Sequence, residues 1–400
     1  MPRAGLRRLR SPRVWGPGGA LLVAGAVTAV ALTTGAGPET ATADGLPHTT
    51  VEIDPGACGR GWLHPRPGLQ VFDLRNSSSH AAEVYLRGAD GGPVYGEVEG
   101  IGPGTTRHLQ VRLGPGAYAF TCLPDDANAV TGPTVRLTGG GRGGPAAAPI
   151  TQHDLIGPAI DYQKWVAGGL DDLVHRTDAL RTAVDDGDLA AARSAWLPAH
   201  LTYERLGAAY GAFGDADKKI NRTTAGLARG VHDPAFTGFH RIEYGLWHGE
   251  SAGGLRAPSA ALTDAVRALR EDWAQARMDP AALGLRAHEI LENTAQFELT
   301  ARTDYGSASN LATARANLDG TRAVLSRLRP LLAPRYPELP RLEAELDRTA
   351  RLLDGFRRDG RWTPLDGLSR PERQRTNAAV GDLVERLASV ATLCDPRRTV

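Results

Sequence analysis

A small all-β sandwich followed by an all-α helical bundle is the architecture that this chain predicts, and three observations predict it. From about Thr49 to Leu137, short alternating runs are punctuated by Gly and Pro. Beyond Ile150 the apolar residues recur every three or four positions. Between them lies Gly139–Pro149, GGGRGGPAAAP, a linker by composition, with glycines for flexibility and an Ala/Pro end that stiffens it. Four hundred residues also exceed one ordinary core. The expected division is a leader over 1–43, a β domain over 44–138, the linker over 139–149 and a helical domain over 150–400.

The leader rests on order. Arg3, Arg7, Arg8, Arg10 and Arg13 precede the apolar run Ala20 to Leu32, and small residues follow through Ala41-Thr42-Ala43. A basic segment, an apolar segment short for a membrane span and an A-x-A site describe an export signal, with the mature chain starting near Asp44. An uncleaved anchor is the alternative if the apolar segment is extended over Gly18–Ala36.

Strands are expected at Leu69–Leu74, Ala82–Leu86, Thr106–Leu113, Ala117–Cys122 and Thr134–Leu137. In the third, Leu109, Val111 and Leu113 alternate with Gln110 and Arg112, the pattern of a half-buried strand. In the helical half, Val166, Leu170, Leu173, Leu180 and Val184 trace one stripe, and Trp196, Tyr203, Leu206, Tyr210 and Phe213 a second. Leu262–Arg277, Ala287–Thr300, Leu311–Leu331, Leu342–Phe356 and Pro371–Leu393 continue the pattern. Pro198 interrupts the second stripe, where it would kink a helix or mark its start.

Charge narrows the partners. Lys+Arg 46 against Asp+Glu 45 gives a net charge of +1, without the concentrated basic face of a nucleic-acid binder. Of three cysteines, Cys58 and Cys122 bracket one segment of the β domain and can pair in an oxidising compartment, while Cys394 is left over.

The chemistry converges on Gly238-Phe239-His240-Arg241-Ile242-Glu243-Tyr244-Gly245-Leu246-Trp247-His248. Read as a helix on Phe239, Ile242 and Leu246, it sets His240 and Glu243 one turn apart on a shared face. An imidazole and a carboxylate at that spacing are how metal sites are built inside helical bundles. For an isolated pair, a hydrogen-bonded His in a bundle is the plainer explanation.

This motif, with Tyr203-Glu204 and Phe213-Gly214-Asp215-Ala216-Asp217 upstream, resembles the imelysin-type helical domain of the EfeO family, extracytoplasmic components of iron-uptake systems. Glu97 to Gly104 and Tyr118 to Cys122 resemble the cupredoxin-like domain of the same family. The resemblance implies a cupredoxin-like sandwich followed by an imelysin-like helical bundle. It also implies iron, Fe2+ or Fe3+, as the bound ion, with Zn2+ or Cu2+ as substitutes in vitro. A membrane iron permease would be the partner that receives it, and a haem peroxidase of the same system a further partner. Carried over residue by residue, the helical-domain metal site falls on Glu204, Asp215, Asp217, His240 and Glu243, a hard O/N set. His200 and His248 read as surface or supporting histidines. The family's usual Asp is Asn221 here, and its later acid-rich turn appears as Leu299–Asp304 with fewer carboxylates.

In the β domain the resemblance points to Cys58, Glu83, Glu97, Glu99 and Cys122. No His-Cys-Met arrangement for a blue-copper centre surrounds Cys122, which leaves a thiolate–carboxylate metal site or a Cys58–Cys122 disulfide, the latter preferred. An imelysin-type metallopeptidase is the alternative function. It is disfavoured because no His-Glu-x-x-His occurs and Glu243 can hardly serve as both ligand and general base.

Overall fold

The computed structural model describes residues 44–148 and 150–396. The leader expected over 1–43 lies outside the described residues, and no described helix is long and apolar enough to cross a membrane.

The β half is a sandwich. One sheet has the order β1-β2-β5, from β1 (His48–Ile53), β2 (Gly68–Asn76) and β5 (Thr106–Leu113). The other has the order β4-β3-β6-β7, from β3 (Ala82–Gly88), β4 (Val94–Ile101), β6 (Gly116–Pro124) and β7 (Val130–Thr131), with β8 (Val135–Leu137) also paired to β6. β1 runs parallel to β2 and the remaining pairs are antiparallel. Alternation sends Phe72, Leu74, Leu109 and Val111 of one sheet and Val84, Leu86, Phe120 and Cys122 of the other into one core. Trp62, Phe72 and Phe120 meet edge to face inside it. Each expected strand is present within two or three residues. Missed were β1, β4 and β7, whose alternation is weak.

Cys58 and Cys122 form a disulfide across this core. Val84 faces Cys122 in the β3–β6 register, so Glu83, one residue along, points to the opposite face of the sheet. The thiolate–carboxylate set is therefore corrected on two grounds: the thiols are consumed, and Glu83 cannot share a face with them. Glu83, Glu97 and Glu99 do converge, with ligand atoms within 4.8 Å of one another. The charge of Glu83 beside Glu99, then burial and Glu97, raises the Glu99 carboxyl above its ordinary value. Cys394 is buried and unpaired, and burial pushes its thiol up to about 12.

The linker is held along its second half. Gly144 N donates to Arg112 O, Ala147 and Val94 exchange backbone hydrogen bonds, and Ala148 O accepts from Arg335 Nε of the helical half. The held part includes the Ala/Pro end that the composition marked as the stiffer one, while 139–142 is exposed.

In the helical half, α1 (Gln152–Asp185) opens on a capping box between Thr151 and Asp154 and buries Leu155, Tyr162, Val166, Leu170, Leu173, Leu180 and Val184. It packs against α2 (Leu189–Glu204) and α6 (Ala252–Asp272). Pro198 lies inside α2 rather than at its start. The second stripe does not run along one helix: after Glu204 the chain passes through a 3₁₀ turn, Gly207–Ala209, into the short α3 (Tyr210–Phe213) and α4 (Asp215–Ile220). The central motif is α5 (Gly238–Trp247), with Phe239, Ile242 and Leu246 fully buried. Then follow α7 (Leu283–Asn293), α8 (Asn310–Leu332), α9 (Leu339–Asp354) and α10 (Arg370–Cys394). The helix expected to run on to Thr300 instead leaves α7 through a π turn, Thr294–Glu298.

The disulfide closes a loop of 64 residues, so converting both Cys58 and Cys122 to Ala should cost the β half roughly 4 kcal/mol, the magnitude expected for that loop length. Hydrogen exchange should then speed up in β2 and β6 and stay unchanged in α1 and α5.

Candidate metal site

Two backbone anchors fix α2 against α5. Trp196 Nε1 donates to Phe239 O at 2.9 Å, and Arg193 donates twice to Leu246 O. The start of α5 abuts α4, because Gly238 has φ +79° and a Cβ there would lie 2.0 Å from Ile220 O. Helix periodicity then directs His200 and Glu204 of α2 and His240 and Glu243 of α5 into the space between the helices, where all four are buried.

Glu204, Asp217, Asn221, His240 and Glu298 line one cavity of about 470 Å³. Glu204 Oε1 accepts from Asn221 Nδ2 at 2.7 Å and lies 3.1 Å from His200 Nε2. The contact is close but poorly aligned, and it couples the pair together with their charges. Burial opposes charge on His200, but Glu204, Glu243 and Glu298 outweigh it and raise its pKa. Burial likewise would raise Glu204, yet the two histidines and the Asn221 amide hold its carboxyl below the ordinary value. Tyr203 Oη donates to Asp217 Oδ1 at 2.5 Å, and burial, with the Glu204 charge, keeps the Asp217 carboxyl raised.

Glu243 is not part of the cavity lining. Its Oε1 accepts from Tyr305 N, Ser307 N and Ser307 Oγ, and its Oε2 lies 3.3 Å from His240 Nδ1. With one oxygen taken by three donors and the other on the ring's Nδ1, it holds the imidazole from outside the cavity lining. Burial would raise Glu243, but His240 and Ser307 hold it below the ordinary carboxylate value.

Asp215 falls elsewhere. Its side chain is 87% exposed and pairs with Lys218 on the solvent side of α4. Asp215 and Asp217 are two positions apart on a helix, which points them in different directions. His200, expected to be peripheral, is buried, stacked on Trp196 and 5.2 Å from the His240 ring. His248 is exposed and stacks on Tyr244.

Glu298 was missed. It closes the π turn, accepts from Thr303 Oγ1 and Asn310 Nδ2, and faces the same cavity as Glu204. Burial, then the Glu204 charge, pushes its carboxyl up to about 7. The expected acid-rich turn began one residue too late, at Leu299, and periodicity could not show the π turn that re-aims Glu298.

The donor set suits a hard or borderline cation: three carboxylates and an imidazole line one cavity, with Asn221 Oδ1 buried there without a hydrogen-bond partner. Among known proteins, the imelysin family model matches residues 159–390. The chain belongs to the imelysin family. Over most of its length the sequence is similar to the iron uptake system component EfeO of Yersinia pseudotuberculosis, 27% identical over 346 residues, covering 86% of this chain and 90% of that one. It is likewise similar to EfeO of Escherichia coli K12 and of Shigella flexneri, each 26% identical over 355 residues, covering 88% of this chain and 92% of theirs. Every donor of the cavity lies inside the imelysin match.

A carboxyl raised from 4.5 to about 7 makes the folded state bind the extra proton between those values, so its contribution is fully present below 4.5 and lost as pH rises through 7. Glu298→Gln should remove that loss. The metal-free variant is expected to exceed the parent by up to about 3 kcal/mol at pH 8 and to match it near pH 4.5. Urea titrations at both values would measure the difference.

Proposed function

We propose that this chain is an exported iron-binding component of an iron-uptake system, which captures iron in the helical cavity and hands it to a membrane permease. The observation that carries the proposal is a cavity lined by the buried Glu204, His240 and Glu298 and the part-buried Asp217, in an imelysin chain similar over most of its length to EfeO components. Iron is the cargo. His240 Nε2 and the Glu204 carboxylate are the proposed first ligands, Asp217 and Glu298 complete the oxygen donors, and Asn221 Oδ1 is a further one.

The chemistry favours release as well as capture. An oxygen-rich site with one imidazole holds its ion without thiolates, and each donor must give up its proton to bind. The leader expected over residues 1–43 places this work outside the cytoplasmic membrane, and a haem peroxidase of the same system fits as a second partner. A peptidase would need a free general base beside an open metal position. The natural candidate, Glu243, has its oxygens committed to Tyr305, Ser307 and His240.

Titration calorimetry on the full chain tests the assignment. His240→Ala and Glu204→Gln should weaken iron binding more than 100-fold. Glu243→Gln should cost roughly 10–100-fold, the usual effect of losing a group that orients a ligand. Adding Glu243→Gln to His240→Ala should cost little more, because an orienting group without its ligand has nothing to act on. Binding near pH 6.5 should also release protons, since Glu298 is largely protonated there. Unchanged affinity in His240→Ala would return the pair to an ordinary buried hydrogen bond.

A further inference from the structure

The outer face of the β1-β2-β5 sheet carries a cluster that the helical cavity does not use. Asp73 and His108 are directly opposite in the β2–β5 register. His48 begins β1 opposite Val71, two residues from Asp73 and therefore on the same face of the sheet. Phe72, Leu74 and Leu109, the neighbours in sequence, point the other way into the core. Three strands thus bring together residues 25 and 35 positions apart in the chain.

The contacts have the form of a cation site. His48 Nδ1 lies 2.9 Å from Asp73 Oδ1, and His108 Nδ1 lies 2.7 Å from the same oxygen. One ligand atom from each of the three residues falls within 4.8 Å of the others, and the two rings stand edge to face at 5.8 Å. Donors around an ion at ~2.1 Å are separated by about 3–3.4 Å, so small side-chain shifts suffice. On its other side, His48 Nε2 lies 3.0 Å from Asp44 Oδ2. With Asp44 taking the Nε2 proton, Nδ1 faces Asp73 in one of two ways: as the second N–H of a charged ring, or as a ligand to a cation between them. A carboxylate behind the non-coordinating nitrogen is also how proteins orient metal-binding histidines.

We propose that His48, Asp73 and His108 form a second metal site, separate from the helical cavity. It takes one divalent first-row transition ion through two imidazole nitrogens and a carboxylate, with Asp44 orienting His48. The ion replaces the two Nδ1 protons that now share Asp73 Oδ1. Two imidazoles with one carboxylate leave open positions on the solvent side, where His108 is 69% exposed, so the ion can be loaded and removed without unfolding.

The test uses the full chain carrying Glu204→Gln and His240→Ala, which silences the helical cavity, and Cu2+ as the probe. One equivalent should bind, with an electron paramagnetic resonance spectrum showing coupling to two imidazole nitrogens. His108→Ala should remove one of those nitrogens and weaken binding at least 10-fold, and Asp73→Asn should weaken it similarly. His80→Ala, which breaks an exposed pair with Asp126, should change neither. Because His108 is exposed, its removal should leave the circular dichroism and melting temperature unchanged, so that variant decides even if Asp73→Asn disturbs the sheet. An unaltered spectrum and affinity in His108→Ala would overturn the site. Failure here leaves the helical-cavity proposal standing, since the two sets of substitutions do not overlap.

Discussion

An imidazole–carboxylate network buried in an apolar helical core is what the helical half depends on. Burying such groups is costly unless each finds a partner, and the chain supplies partners in pairs: His200 beside Glu204, Glu243 beside His240, Asp217 under Tyr203. The first two pairs each lie within one helix and the third joins α2 to α4; the register of α2 against α5 is what brings His200 beside His240. That register rests on the Trp196–Phe239 and Arg193–Leu246 bonds and on the absence of a side chain at Gly238. The remaining imbalance is concentrated where Glu204 and Glu298 share a cavity, and it is there that a cation would be most strongly stabilised.

Periodicity reveals which residues face inward but not what they face. The stripes through α1 and α5 were legible because a helix core needs apolar residues at three- and four-residue steps, and those residues are buried as expected. The same spacing put His240 and Glu243 on one face, while Glu204 came only from the family resemblance. Spacing could not show that Glu243 is held by Ser307 and Tyr305, some sixty residues downstream and in no periodic relation to α5. Asp215 and Asp217 were indistinguishable in sequence, and only the path of α4 decides that one meets Tyr203 and the other meets water.

The β half gives the converse case. Two cysteines bracketing a small domain left a metal and a disulfide both open, and the pleat decides between them: Val84 opposite Cys122 sends the sulfurs inward and Glu83 outward. His48, Asp73 and His108 passed unnoticed because they are scattered in sequence and each is unremarkable alone. Register between strands creates that cluster, and register was not legible once β1 had been missed.

Where the helical pattern breaks, the donors gather. Glu204 is the last residue of α2, Asp217 and Asn221 belong to the short α4 and its cap, and Glu298 ends a π turn. A regular helix presents a side chain every 100° and would keep these carboxylates on separate faces; a 3₁₀ turn, a short helix and a π turn each redirect the chain so that they line one cavity. Local regularity and site geometry thus conflict at these points, and the surrounding core resolves the conflict: Leu206, Phe213 and Ile220 remain buried through the irregular stretch, so the apolar packing that a continuous helix would have gained is largely kept. The second stripe looked like one helix in sequence for that reason. Its apolar residues do share a core, while the backbone between them is bent to serve the carboxylates.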